Sequence, residues 1–92
     1  MGNLVISYDL HKSGQNYEGV IEAIKSLGGW AKVHQSVWYV KSVKDAVAAF
    51  DVIRKRMDSN DSLFVVDAEN NKAAWYGLTD EVSDYLKQQW NK

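Results

Sequence analysis

The sequence predicts an α+β sandwich in which the elements follow the order β-α-β-β-α-β, and three observations lead there. Short runs of β-branched and aromatic residues occur at Leu4–Tyr8, Trp30–His34, Val37–Lys41 and Leu63–Asp67, and each reads as a strand. Between the first and second runs, and again between the third and fourth, apolar residues recur with helical spacing. The middle two runs are separated by Gln35-Ser36 alone, which is the length of a hairpin turn. This order defines a ferredoxin-like βαββαβ sandwich, an antiparallel sheet with two helices on one face and strands in the order 4-1-3-2. A C-terminal extended arm and a further helix follow it.

The elements can be justified in turn. Leu4-Val5-Ile6-Ser7-Tyr8 is apolar on both faces, as a central strand should be, and Asp9 ends it. His11–Asn16 is polar and turn-forming, with Asn16 placed to cap the next helix. Tyr17, Val20, Ile21, Ile24 and Leu27 make that helix's apolar stripe, and Gly28-Gly29 is expected to end it. After the hairpin, Ser42 with Asp45 three residues on resembles a capping box. The second stripe is Val43, Ala46, Val47, Phe50, Ile53 and Met57. Asp58–Asp61 is a turn cluster that opens the fourth strand. Beyond it come a turn at Glu69-Asn70-Asn71, an extended arm at Ala73–Tyr76, and a helix started by Thr79-Asp80-Glu81. Val82, Tyr85, Leu86 and Trp90 form the apolar stripe of that last helix.

Ninety-two residues make one domain, with a core at about 3–67 and an appendage at about 68–92. The chain has no cysteine, hence no disulfide framework and no thiolate metal site. No run approaches the length of a membrane span, and Met1-Gly2-Asn3 lacks the features of a secretion signal, so a cytoplasmic protein without membrane association is expected. Eleven Lys and Arg against twelve Asp and Glu give a net charge of −1, which argues against a strongly basic nucleic-acid binder.

Reactive groups are few. The two histidines, His11 and His34, show no ligand spacing for zinc. Gly28-Gly29 does not follow a strand in the phosphate-cradling pattern, and Ser7, Ser13 and Ser36 have no base at a fixed spacing. Asp9, at the end of the first strand, is the acid best placed to face a partner or cleft; the plainer use of such a residue is to accept hydrogen bonds from its own loop. Asp67 ends the fourth strand in a similar way, and Asp58 and Asp61 read as turn residues. The rings of Tyr8, Trp30, Trp38, Tyr39, Trp75, Tyr76 and Trp90 suit either base stacking or filling a small core and covering the sheet in a dimer. Arg54-Lys55-Arg56 reads as a solvated helix end.

Three stretches, Val5-Ile6-Ser7-Tyr8-Asp9, Gln35-Ser36-Val37-Trp38 and Asp61-Ser62-Leu63-Phe64-Val65-Val66, occur in order over residues 3–67. Together they resemble the superfamily of the small CRISPR-associated protein that partners the spacer integrase, and of virulence-associated protein D. The whole chain is similar to short bacterial and phage proteins described as SinR-like. The resemblance implies a ferredoxin-like homodimer. In the active members it implies metal-assisted phosphodiester hydrolysis, with the acid at the position of Asp9 contributed by both protomers to bind Mg²⁺. His11, two residues on, would be placed to shuttle a proton.

Two functions therefore stand as expectations. One is a dimeric adaptor or interaction protein in phage–host defence that binds a protein, RNA or DNA through its sheet edge and C-terminal arm. The other is a metal-dependent nuclease of toxin or defence type, with Asp9 as metal ligand and catalytic residue. In the dimer, residues 72–90 are expected to meet the partner or seal the sheet edge, anchored by Trp75 and Trp90.

Overall fold

A computed structural model describes residues 2–10, 17–59, 61–68 and 75–90 of the chain, with Tyr17 by its backbone alone. The elements are β1 (Gly2–Asp9), α1 (Tyr17–Lys25), β2 (Gly28–His34), β3 (Val37–Ser42), α2 (Ala46–Arg54), β4 (Ser62–Asp67) and α3 (Asp80–Trp90). The four strands form one open antiparallel sheet in the order β2-β3-β1-β4, which from the other edge reads β4-β1-β3-β2. No helix among the described residues is long and apolar enough to cross a membrane.

Strand alternation places each residue. Leu4 lies opposite Val40 and Asp67, Ile6 opposite Trp38 and Val65, and Tyr8 opposite Leu63. Leu4, Ile6, Tyr8, Trp38 and Val40 therefore share one face, where they bury against Val20, Ala23 and Ile24 of α1, Leu27, and Ala49 and Ile53 of α2. Inside this core the Trp38 indole N–H donates to the Tyr8 hydroxyl at 3.2 Å, so the polar ends of two large rings satisfy each other.

Three local expectations are corrected. The first helix ends at Lys25, and Gly28-Gly29 opens β2 instead of closing the helix. Gly28 lies opposite Ser42, where a Cβ would run into the Lys41 carbonyl, and a Cβ on Gly29 would meet the Tyr85 hydroxyl. Both glycines serve close approach. The N-cap of the second helix is Asp45, whose Oδ1 accepts from the Ala48 N–H at 2.9 Å. Ser42 is fully buried at the end of β3, where its hydroxyl donates to the Leu27 carbonyl at 2.7 Å and accepts from the Lys44 N–H.

The third correction concerns the apolar face of α2. Ala49 and Ile53 are buried, with Val52 and Met57 packed partly against them, whereas Val43 is 80%, Val47 71% and Phe50 38% exposed. The small side chain of Ala49 lets α2 approach the sheet along a line rotated away from the larger residues.

The expected helix start at Thr79 holds, since the Thr79 hydroxyl accepts from the Val82 N–H at 3.2 Å. Trp75 and Tyr76 are not in a strand. The expected cap at Asn16, the turn at Glu69–Asn71 and the residues Ala73 and Ala74 lie outside the described residues, as does Asn60 of the Asp58–Asp61 turn. The helix α3 folds back over the second face of its own sheet. Leu86 is buried there, and the Tyr39 ring lies 6.1 Å from Tyr85 and 5.6 Å from Trp90.

Candidate functional site

Asp9 is exposed at the end of β1, opposite Ser62 of β4, and its carboxylate makes no hydrogen bond or ion pair with another described residue. His11 lies outside the described residues. Asp67 sits at the other end of the same ladder, opposite Leu4, so the two strand-end carboxylates do not converge. Asp61 Oδ2 accepts from the Asp58 N–H at 2.9 Å, the turn role expected of that pair. Arg54 donates to the Met57 carbonyl at 3.1 Å, as a helix-end cation does. Among the described residues there is no group of three or more His, Cys, Asp or Glu able to hold a metal. The described residues thus bring no set of three metal-ligating side chains together around Asp9, which does not by itself fit a magnesium centre.

The most developed polar constellation is one that sequence reasoning missed. On the face beneath α3, Asn3 and Lys41 are paired across β1 and β3 and are 4% and 5% exposed. Asn3 Oδ1 accepts from the Tyr39 hydroxyl at 2.7 Å and from Lys41 Nζ at 3.1 Å, while Asn3 Nδ2 donates to the Trp90 carbonyl at 2.9 Å. Lys41 Nζ also donates to the Gln89 carbonyl at 2.9 Å. These are carbonyls of the last turn of α3, which have no partner within the helix. An ammonium and an amide supplied by the sheet satisfy them, with the cation at the negative end of the helix dipole. Burial, and then the neighbouring Tyr85, push the Tyr39 hydroxyl up to about 12. The hydroxyl therefore stays a proton donor across the neutral range. The network fastens α3 to the sheet.

The aromatic rings divide between the two faces. Tyr8 and Trp38 are buried beneath α1 and α2, and Tyr39 is buried beneath α3. Trp30 is 42% exposed on the edge strand, but Lys25 Nζ already lies 4.4 Å over its ring. Trp75 donates from its indole N–H to the Ser83 hydroxyl at 3.0 Å. Among the described residues the rings do not form one continuous stacking surface for bases.

Among the described residues the exposed large apolar side chains include Val43, just before α2, Val47 and Phe50 on α2, Tyr76, and Phe64, 67% exposed, on β4 opposite Ser7. No protein-family model matches the chain, and no curated protein matches it.

Proposed function

We propose that the chain is a non-catalytic interaction protein, a ferredoxin-like βαββαβ module that pairs with a second copy of itself and works as an adaptor in phage–host conflict. The strand order β4-β1-β3-β2, with α1 and α2 on one face, supports the ferredoxin-like assignment. The observation that carries the pairing is the exposure of Val43, Val47 and Phe50, which a small domain ordinarily hides.

The charges beside these residues fit a second copy. In an antiparallel, two-fold pairing centred on Val47, each Val47 meets its copy, and Phe50 and Asp51 of one chain fall beside Val43 and Lys44 of the other, which lie just before its α2. Asp51 thus comes near the other chain's Lys44, so the surface is complementary in charge as well as in apolar area. Sedimentation at micromolar concentration should show a dimer, and Val47→Glu should give a folded monomer. Lys44→Glu and Asp51→Lys should each weaken the dimer, and combining them should restore it. A wild-type monomer, or a double variant no better than the singles, would refute the pairing.

A second reading, metal-dependent phosphodiester hydrolysis with Asp9 as ligand and His11 assisting, rests on the exposure of Asp9 at a central strand end. It requires the partner to bring the second carboxylate. RNA and DNA cleavage with Mg²⁺, compared between wild type and Asp9→Asn, tests it. Cleavage lost in a variant with unchanged folding supports it, and an inactive wild type dismisses it.

A further inference from the structure

The sheet has two edges, and the one at β2 is walled. Between β2 and α3 runs an open groove of about 560 Å³, lined on the strand by Trp30, Ala31 and Lys32 and on the helix by residues that include Glu81, Val82 and Asp84. We propose that this groove binds an extended peptide segment of another protein by strand addition to β2, and that the side chains it accepts facing α3 are aliphatic and basic. The proposal rests on reading the chain as an interaction protein, but not on its pairing through α2.

The backbone supplies the first argument. As an edge strand, β2 pairs with β3 on one side only, so alternate residues turn their N–H and C=O groups outward. The register is regular from Gly28 to Lys32 and breaks only between Lys32 and His34. Five regular residues span about 16 Å, enough for a short incoming strand. A helix beside an exposed strand edge is a recurrent geometry for such peptides, with main-chain bonds giving affinity and alternate side chains giving selectivity.

The walls supply the second. Ala31 is small and 6% exposed, and with Val82 and Tyr85 it makes an apolar floor where an aliphatic side chain can sit. Glu81 and Asp84 are exposed on the helix wall beside it. The one basic residue of α3, Lys87, lines a separate hollow with Trp75 and Asp80. Lys32 lines the strand side of the groove, and its ammonium lies 5.8 Å from the Trp38 ring, so the one basic lining residue stands across from the helix wall and not on it. The helix side of the groove is thus acidic, which favours a lysine or arginine and disfavours the phosphates of a nucleic acid.

The test uses the full chain, isotope-labelled, titrated with an acetylated and amidated heptapeptide Thr-Val-Thr-Lys-Thr-Val-Thr and with its Lys-to-Glu counterpart. The lysine peptide should bind saturably, shift the amides of residues 28–32 and 81–85, and bind about tenfold more tightly than the glutamate peptide. Glu81→Lys combined with Asp84→Lys, both at exposed positions, should reverse that preference. N-methylation at one alternate set of peptide residues should abolish binding while methylation at the other set leaves it. The Val47→Glu variant should bind the peptide as wild type does, which separates this site from the pairing of chains. No saturable binding, equal affinity for the two peptides, or binding that survives both methylation patterns would overturn the proposal. So would a single-stranded oligonucleotide that displaces the lysine peptide.

Discussion

Replacing Asn3 by Ala probes how α3 is held. The side chain makes three hydrogen bonds: two accepted at Oδ1, from Tyr39 and Lys41, and one donated to the Trp90 carbonyl. Each such bond contributes about 0.5–1.5 kcal/mol net, and a buried group left without its partner costs about 1–3 kcal/mol. Lys41 keeps its bond to the Gln89 carbonyl, so the buried Tyr39 hydroxyl carries most of the loss. Asn3→Ala should therefore cost about 2–4 kcal/mol, a large fraction of the stability of a domain this size. Urea denaturation followed by tryptophan fluorescence measures that loss. Amide hydrogen exchange locates it: protection should fall first in α3, because an isolated eleven-residue helix is marginal in water and depends on its docking. A loss below about 0.5 kcal/mol, the range of ordinary surface changes, would refute the idea that the network fastens the helix.

Three further outcomes follow from the packing and the network. Ile53→Ala should cost about 2–5 kcal/mol in chemical denaturation, because Ile53 is fully buried, whereas Phe50→Ala should cost clearly less; equal losses would mean that α2 is rotated from the orientation described. Gly28→Ala should cost about 1–3 kcal/mol, since its methyl group would meet the backbone carbonyl of Lys41, and an unchanged denaturation midpoint would contradict that close approach. The folded chain holds the Tyr39 proton to about pH 12, above the ordinary tyrosine value of 10, so between these values the unfolded state binds fewer protons. The contribution of Tyr39 is thus fully present below pH 10 and is lost as pH rises toward 12. Tyr39→Phe should flatten that part of a stability-against-pH curve, and an identical slope in the variant would remove Tyr39 as its cause.

The strands were legible because alternation and β-branched residues mark them directly, and the central place of β1 followed from its two apolar faces. The apolar stripes located the helices but not their rotation. Val47 and Phe50 outweigh Ala49 in any count of hydrophobicity, yet the small residue lets the helix approach the sheet and so faces inward. Gly28-Gly29 carries a signal shared by helix ends and by strands that pass close to a neighbour, and sequence spacing alone does not separate the two. The Asn3–Tyr39–Lys41 network was hidden because its members lie 36 and 38 positions apart and polar strand residues ordinarily face water. The available clue was the apolar stripe Val82, Tyr85, Leu86 and Trp90. A third helix needs a surface to cover, and the second face of the sheet is the one that α1 and α2 leave free.

Where α3 docks governs what the rest of the surface is left to do. The last helix buries Tyr39 and Leu86 against its own sheet, its final turn held by Asn3 and Lys41. That removes the second face over β2 and β3 as a docking plane for another chain or for stacked bases. Among the described residues, the outer side of α2, the strand edges, Tyr76 and the part of β4 that carries Phe64 stay open to contact. The same docking adds a feature that a bare four-stranded sheet lacks, because it sets an acidic helix wall alongside the free edge of β2. One intramolecular packing event thereby closes a broad apolar plane and leaves a narrow polar-walled groove. An open plane would bind many apolar surfaces with little discrimination, whereas a strand edge beside fixed carboxylates selects by backbone register and side-chain charge together. Selectivity of that kind requires the wall to stay in place. It makes the sheet-to-helix network a structural condition for the peptide site as well as a contributor to stability, so Asn3→Ala should weaken peptide binding in proportion to the population in which α3 has come away.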